Sequence, residues 1–506
     1  MQTILLTKGT VWIVAAIGFV LFLIGNLPWQ LDDYDQAKQA FTSYEMVKEG
    51  HWLYQQTPHE HVATKPPLVG WISAGVFALT RSWEVAWRLP SLAAAIALAV
   101  LLFRTASSAY GSIAGLVALS AFGLNLLSPR LATLVRTDMP LAFLVFLIGL
   151  LIWQKIRRQE EWKSRDRVCL FALLTIAMLI KGPIVYAFLL PGIALFQWRY
   201  GRARPKPVLS EVEGGAPLQS AWSGWWPWIA SLAVFLLWAA GGILFQPGFF
   251  NEVVMREFLG RFGETIHRPQ PLYFYLPHLL HKFAPWSVLI IALAIFHFAS
   301  RRWRIRSAFR EMSPGTFWLL CWSIGGLIVM SLIPSKRVDR IFPVIPPLCL
   351  LLASQVTDRV GAPHRPDGPS RTSVVAHRPY LVAALVFAIF FTSSYVTWKV
   401  VIGYHDHRDG LAMFGRNVRR EAEAHRWRYE AVSARDEGLL LYLQKTRFIE
   451  PDRAVAEWNA GTLDALVAST EKVAGLMLQL RGATVSQLKS NERRKEQGTG
   501  YVLITR

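Results

Sequence analysis

The chain has 506 residues, of which 53% are hydrophobic and only 17% are charged. Ordinary soluble domains carry about 25% charged residues, so the composition excludes a soluble, disordered, collagen-like or coiled-coil protein and indicates a bilayer as solvent. The formal net charge of +20 would indicate nucleic acid in a soluble protein. In a membrane protein it is explained by basic loops that set topology, so no nucleic-acid partner is expected.

Apolar runs follow one another up to residue 402. The first, residues 11–29, resembles a signal peptide, but no small-x-small cleavage site follows it, so we expect an uncleaved anchor. The run at 66–80 is short for a span and suits an interfacial or re-entrant helix. Further spans are predicted at residues 88–103, 109–127, 139–154, 168–181, 183–198, 226–246, 285–299, 315–333, 341–357 and 380–402.

The fold class that these runs predict is an all-α polytopic membrane protein with about eleven or more transmembrane helices. Lys181-Gly182-Pro183 interrupts residues 168–198, which favours two short spans joined by a turn. The loops that are densest in Lys and Arg should face the cytoplasm, and this places residues 30–88 on the outer side.

The composition changes after residue 402. Residues 403–506 are charged and mixed, with β-like runs at 429–433, 473–480 and 501–505. We therefore predict two domains: a transmembrane domain at 1–402, with its catalytic loop at 30–88, and a small soluble α/β domain at 403–506 outside the membrane. We expect this second domain to modulate access of an acceptor.

Carboxylates stand at two positions where a span meets the outer side. Asp32, Asp33 and Asp35 directly follow the first span, and Asp138 lies at the mouth of another. An ionisable residue at such a place is costly, and the default hypothesis is function. The alternative for the first group is an ordinary helix start, and the alternative for Asp138 is a simple ion pair with Arg136.

The outer loops also carry cations, against the usual topology bias. An anionic ligand near the headgroup plane would explain them, and phosphate is the natural candidate. Snorkelling to lipid phosphates is the alternative. The residues concerned are Lys65, Arg136, Lys181, Arg261, His267, Lys336, Arg337 and Arg340.

Carboxylates that face a cationic cluster suggest one reaction. A carboxylate takes the proton of an acceptor hydroxyl, which attacks a sugar held by a phosphate, and the cations stabilise the phosphate that leaves. The sequence contains no Gly-rich phosphate loop and no HExxH or CxxC metal motif. The three cysteines, Cys169, Cys321 and Cys349, lie in apolar runs without metal-ligand spacing.

Six motifs in this order resemble the polyprenyl-phosphate-sugar glycosyltransferases of the GT-C fold, which include protein O-mannosyltransferases and bacterial lipid A aminoarabinose transferases. The resemblance covers about residues 30–350, and any single motif in it is weak. The motifs are the stretch from Asp35 to Trp52, Lys65-Pro66-Pro67, Thr137-Asp138, Lys181-Gly182-Pro183, the loop from Arg261 through His267 and Tyr273 to Pro285-Trp286, and Ser335-Lys336-Arg337.

The resemblance implies an undecaprenyl-phosphate sugar donor, inversion at the anomeric carbon, and a lipid, glycan or protein acceptor. It implies that Asp35 and Asp138 are the catalytic acidic residues and that Lys65 contacts the donor phosphate. It also implies the bacterial inner membrane, with the active site and the terminal domain facing the periplasm.

Two positions depart from the aminoarabinose transferases. Thr64 replaces a Glu that is associated with a bound metal, which disfavours a divalent metal here, and Arg340 replaces a tyrosine. The sugar and the acceptor are therefore left open. A transporter or flippase of an anionic lipid-linked substrate is the alternative function, and a membrane scaffold that binds cell-wall material is a third.

Overall fold

A computed structural model describes residues 2–31, 34–59, 61–200, 221–261, 269–300, 312–360, 378–432, 437–489 and 500–506. The chain forms two compact units. The span unit comprises Met1–Leu23, Pro90–Thr133 and Thr137–Val396, and the loop unit comprises Ile24–Leu89, Leu134–Arg136 and Thr397–Arg506. The loop unit thus combines the predicted outer loop at 30–88 with the segment after residue 402, whereas a domain boundary at residue 402 stays a prediction.

Helices dominate the chain up to residue 405, and every predicted apolar run contains one. The helices before residue 250 are α1 (Gln2–Ile24), α2 (Tyr34–Glu49), α3 (Leu68–Thr80), α4 (Trp83–Tyr110), α5 (Ser112–Gly123), α6 (Ser128–Ala132), α7 (Asp138–Arg158), α8 (Ser164–Lys181), α9 (Ile184–Tyr200) and α10 (Trp226–Phe245). They are followed by a π-helix (Phe250–Phe258), 3₁₀ helices (Leu259–Arg261 and Leu272–Phe274), α11 (Tyr275–Lys282), α12 (Trp286–Ser300), α13 (Pro314–Leu332), a 3₁₀ helix (Val338–Val344), α14 (Ile345–Val360) and α15 (Arg378–His405).

Among the described residues, six helical segments are long and apolar enough to cross a membrane. They are Trp83–Tyr110, Asp138–Arg158, Trp226–Phe245, Pro314–Leu332, Val338–Gln355 and Leu381–His405. The predicted total of about eleven spans stays a prediction. The run at 66–80 forms α3, a helix of 13 residues, which is too short to span a bilayer upright.

Two glycines end helices in the span unit. α8 stops at Lys181 because Gly182 takes a φ of 71°, and Pro183 follows before α9 begins. Gly111, with a φ of 95°, separates α4 from α5 in the same way. Positive φ is easy for glycine and costly for other residues, so these positions turn the chain sharply.

α9 and α13 cross at glycines. A Cβ atom added to Gly325 would lie 2.5 Å from the backbone nitrogen of Gly192, and a Cβ on Gly192 would lie 2.9 Å from the Cα of Trp322. The indole nitrogen of Trp318, also in α13, donates to the carbonyl of Gly149 in α7 at 3.1 Å. Small residues let membrane helices approach closely, and here they join α7, α9 and α13.

The C-terminal part of the loop unit contains a four-stranded sheet in the order β1-β2-β4-β3. β1 and β2 are parallel, and the other two pairs are antiparallel. Its elements are α16 (Gly410–His425), β1 (Tyr429–Ala431), α17 (Glu437–Leu443), α18 (Pro451–Asn459), β2 (Ala465–Ser469), α19 (Thr470–Met477), β3 (Thr484–Lys489) and β4 (Tyr501–Thr505).

The prediction of a β-like run at 473–480 is wrong, because these residues belong largely to α19. Leu476 and Leu480 are buried together against Trp458. Val473, Leu476 and Leu480 follow the spacing i, i+3, i+7, which is the helical period rather than the strand period. The strands β2 and β3 were not predicted.

Both faces of this sheet are covered. Leu466 and Ile504 pack on the side of Trp458, while Val467 and Leu503 pack on the opposite side. That opposite side is a single core to which α2 contributes an apolar stripe. The stripe is Ala37, Ala40, Phe41 and Tyr44, packed with residues of α16 and α17. The predicted outer loop and the C-terminal segment therefore share one hydrophobic core.

Candidate active site

The loop unit presents Asp35 in the first turn of α2. The Oδ2 atom of Asp35 lies 3.7 Å from Nη2 of Arg136, whose side chain is only 6% exposed, whereas that of Asp35 is 28% exposed. One residue further, the Gln36 side chain accepts a hydrogen bond from the backbone N–H of Val135 at 3.3 Å. Residues 134–136 are thus held against the start of α2, and the Asp35 carboxylate remains accessible.

The position of Asp35 suits a carboxylate for two physical reasons. The unsatisfied N–H groups at a helix N-terminus attract negative charge, and the guanidinium of Arg136 adds a second attraction. Asp32 and Asp33, which precede it, lie outside the described residues. Arg136 was considered a partner of Asp138 from the sequence, and the structure gives it Asp35 as an ion-pair partner.

Lys65 lies in the same unit, on the segment that leads into α3. The strand-like turn before it is closed by an antiparallel bridge between Gln56 and Val62. The Trp71 indole in α3 donates to the carbonyl of Trp52 at 2.7 Å, which ties α3 to this turn. Lys65 itself is partly buried, and Pro66 and Pro67 restrict the backbone that follows it.

The span unit presents a second charged pair. Asp138 begins α7, Lys181 ends α8, and Nζ of Lys181 donates to Oδ1 of Asp138. Both side chains are largely buried, at 8% and 14% exposure. An acid at a helix N-terminus and a base at a helix C-terminus each complement the helix dipole, so the two helix ends reinforce the ion pair.

The turn at 335–340 lies beside this pair, because the 3₁₀ helix Val338–Val344 packs against α7. Nζ of Lys336 donates to the carbonyl of Gln270 at 2.9 Å, and burial lowers the pKa of Lys336. Nη1 of Arg340 donates to the carbonyl of Ser335 at 2.8 Å. The turn thus carries three cations, Lys336, Arg337 and Arg340, close to one another.

Tyr275 contacts the turn at 335–340 and was missed from the sequence. It is fully buried, and its hydroxyl accepts the N–H of Arg337 at 3.4 Å. Burial raises the pKa of Tyr275, the Arg337 N–H and the charge of Arg340 lower it, and the charges of Asp138 and Asp339 raise it. The sequence offered a signal only in Tyr273, which is 69% exposed.

Two predicted residues cannot be placed by their side chains. Arg261 closes the 3₁₀ helix Leu259–Arg261, and only its backbone is described. His267 lies outside the described residues.

The residues at position 64–65 do not fit a metal site. Thr64 offers a neutral hydroxyl where a metal ligand would be a carboxylate, and the cationic Lys65 is adjacent. Within the ranges that the structure describes, no group of three or more His, Cys, Asp and Glu side chains could hold a metal ion.

Parts of this sequence are similar to known proteins. Residues 64–212 match the family described as dolichyl-phosphate-mannose-protein mannosyltransferase. Two relatives are named undecaprenyl phosphate-alpha-4-amino-4-deoxy-L-arabinose arabinosyl transferase. The one from Erwinia tasmaniensis is 25% identical over 328 residues, which is 63% of this chain and 54% of that protein. The one from Shewanella sediminis is 24% identical over 69% of this chain and 60% of that protein. The matched region thus spans little more than half of these relatives.

Solved structures extend the likeness to nearly the whole chain. ArnT from Cupriavidus metallidurans bound to undecaprenyl phosphate superposes with a TM-score of 0.69 at 16% identity, covering 98% of both chains. The oligosaccharyltransferase AglB from Archaeoglobus fulgidus, in complex with a peptide and a dolichol-phosphate, superposes with a TM-score of 0.54 at 12% identity, covering 94% of this chain and 71% of that one. At these identities the likeness is one of fold. The six helical segments of spanning length and composition indicate an integral membrane protein. Its fold is similar to those of ArnT and AglB, and residues 64–212 match the mannosyltransferase family.

Proposed function

We propose that this chain is a glycosyltransferase that moves a sugar from a polyprenyl-phosphate donor to a hydroxyl of a lipid, glycan or protein acceptor. The proposed place is the outer face of a bacterial inner membrane. The names of the relatives support a polyprenyl-phosphate donor. The observation that carries the proposal is the buried Asp138–Lys181 ion pair beside the cationic turn at 335–340. Charged groups inside an apolar unit are costly, and a function is the usual reason for them.

The turn at 335–340 would bind the donor phosphate. A sugar phosphodiester carries one negative charge, and the departing polyprenyl phosphate gains a second as the bond to the sugar breaks. Fixed cations favour that change because the charge grows in the transition state. Arg337 and Arg340 are the candidates for direct contact, since both keep exposed surface while Lys336 is held at the carbonyl of Gln270.

Asp35 would act as general base. It takes the proton of the acceptor hydroxyl while the acceptor oxygen forms a bond to the anomeric carbon and the bond from that carbon to the phosphate oxygen breaks. One displacement of this kind inverts the configuration at the anomeric carbon. Arg136 orients the carboxylate through the contact described above. Asp138 holds the ammonium of Lys181 in place, as a second acidic residue of the reaction. The proposed set of donor-binding cations also includes Lys65, Arg136, Arg261 and His267.

Reconstituted protein tests the proposal. The wild-type chain in liposomes would be supplied with undecaprenyl phosphate carrying radiolabelled mannose or 4-amino-4-deoxy-L-arabinose, together with a bacterial membrane extract as the source of acceptor. We expect label in a new covalent product and release of undecaprenyl phosphate. Label that crosses the bilayer without forming a product would support a transporter instead. The absence of both transfer and movement, with every donor tested, would contradict the proposal.

A further inference from the structure

The backbone just before Asp35 is held by side chains from distant parts of the loop unit. Trp29 has a φ of 61°, in the left-handed region that side chains other than glycine rarely adopt. The guanidinium of Arg88 donates to the carbonyl of Trp29 and lies 5.4 Å from the centre of its indole ring. Two residues later, the backbone N–H of Leu31 donates to the hydroxyl of Tyr442 at 2.8 Å. These two contacts hold the backbone at Trp29 and Leu31, shortly before α2 begins.

Both anchoring side chains are themselves fixed. Arg88 is 4% exposed, and its Nη1 atom lies 2.6 Å from Oε2 of Glu84. The other carboxylate oxygen of Glu84 lies 3.7 Å from Nη2 of Arg416 in α16. Tyr442 is 5% exposed in α17. A Cβ atom on Gly415 would lie only 2.5 Å from the Cβ of Tyr442, so α16 and α17 are in direct contact at this point.

The chemistry of the Tyr442 hydroxyl matches this role. Burial raises the pKa of Tyr442 far above its ordinary value, so the hydroxyl stays neutral and offers its oxygen as an acceptor. Leu31 is 1% exposed, in the core that also contains Leu439 and Leu443. The Leu31 N–H therefore has no access to water, and it would be left unsatisfied if the hydroxyl were removed.

We propose that Tyr442 is a positioning residue for Asp35, supplied by the C-terminal segment of the chain. The inference rests on the proposed function, in which Asp35 is the base. Leu31 lies four residues before Asp35, so movement of Leu31 shifts the first turn of α2. A base that is displaced by a fraction of an ångström loses much of its effect on the rate while substrate binding elsewhere is retained. The C-terminal segment therefore acts on catalysis through the backbone of the first loop.

The experiment compares Tyr442→Phe with a matched control, Tyr429→Phe. Each change removes one hydroxyl and keeps the ring. The Tyr429 hydroxyl donates to the carbonyl of Leu443 at 2.7 Å, within the same C-terminal segment. Two quantities are measured on the full-length protein in liposomes: amide hydrogen exchange of residues 29–36, and kcat and KM for transfer with undecaprenyl phosphate carrying labelled sugar.

We expect Tyr442→Phe to speed exchange at Leu31 about tenfold, which is the loss of one buried hydrogen bond. We expect kcat to fall about tenfold or more with KM for the donor within twofold of wild type, and Tyr429→Phe to change neither quantity. The positioning role is overturned if kcat is unchanged, if kcat falls without faster exchange at residues 29–36, or if Tyr429→Phe lowers kcat equally. Failure of the wild-type chain to transfer sugar would instead refute the proposed function, and the exchange data would still report whether Tyr442 holds Leu31.

Discussion

The ammonium of Lys181 donates to the carboxylate of Asp138, which joins the last residue of one helix to the first residue of another. Both side chains are largely buried. Removing one charge therefore breaks the ion pair and leaves the other charge buried. The pair is a structural contact between α7 and α8, and it lies beside the turn at 335–340 that we propose binds the donor phosphate.

We predict that Lys181→Met destabilises the protein by about 3 to 5 kcal/mol, the usual result of breaking a buried ion pair from one side. The double variant Asp138→Asn/Lys181→Met should recover most of the stability, because no buried charge is left over. Transfer should be lost in both variants. Thermal unfolding in detergent and the transfer assay check the two parts separately, and a Lys181→Met protein as stable as wild type would contradict the first.

Asp35→Asn should lower kcat by about 10² to 10⁴-fold, the usual contribution of a general base. The amide keeps the size of the side chain and its place in the first turn of α2. Glu49→Gln is the matched control, since Glu49 is an exposed acid in the last turn of the same helix, and it should transfer at the wild-type rate. Normal transfer by Asp35→Asn would remove this residue from the mechanism.

The contact between α9 and α13 should not tolerate a larger residue. Gly325→Ala places a methyl group 2.5 Å from the backbone nitrogen of Gly192, and backbone cannot move aside cheaply. We expect a loss of about 1 to 3 kcal/mol in the free energy of unfolding, the usual cost of overpacking. Gly75→Ala in α3 is the control, because no atom lies within 4 Å of its added Cβ. Equal melting temperatures for the two variants would show that the contact between α9 and α13 has room for a methyl group at Gly325.

Glu45 should make stability depend on pH. Burial raises the pKa of Glu45 above its ordinary value of 4.5, while the hydrogen bond and the charge of His51 oppose that rise. Between 4.5 and the higher value, the folded protein holds more protons than the unfolded one, so the free energy of unfolding falls as pH rises through that interval.

Glu45→Gln should remove this part of the pH dependence, because an amide does not titrate. The measurement is the melting temperature of both proteins at a series of pH values from 4 upward, and the difference between them isolates Glu45. A constant difference across the series would contradict the prediction.

The sequence predicted the helices of the span unit well, because long apolar runs have few alternatives in a bilayer. The break at Gly182 was also predicted, since Gly-Pro stops a helix regardless of the rest of the fold. Residues 473–480 were misread because β-branched and apolar residues occur in both strands and short helices, and only their spacing distinguishes the two.

The partners of the charged side chains were harder to predict from the sequence. Asp35, Asp138 and most of the cations were chosen from the sequence, and Arg136 was considered as a partner of Asp138. The ion pair of Arg136 with Asp35 was not predicted. Tyr275 and Tyr442 could not be chosen at all. Each acts through a backbone group that lies far away in the sequence, and no local pattern reports such a contact.

The contact between Leu31 and Tyr442 joins residues 411 positions apart, and this has a consequence for biosynthesis. At about 5 to 20 residues per second, a ribosome makes these two residues about 20 to 80 s apart. During that interval the apolar stripe of α2, including Phe41 and Tyr44, lacks the part of its core that α16, α17 and the sheet supply. A nascent chain that stalls before its final hundred residues would therefore present this stripe to quality-control proteases, which would recognise the truncated product by a segment near its beginning.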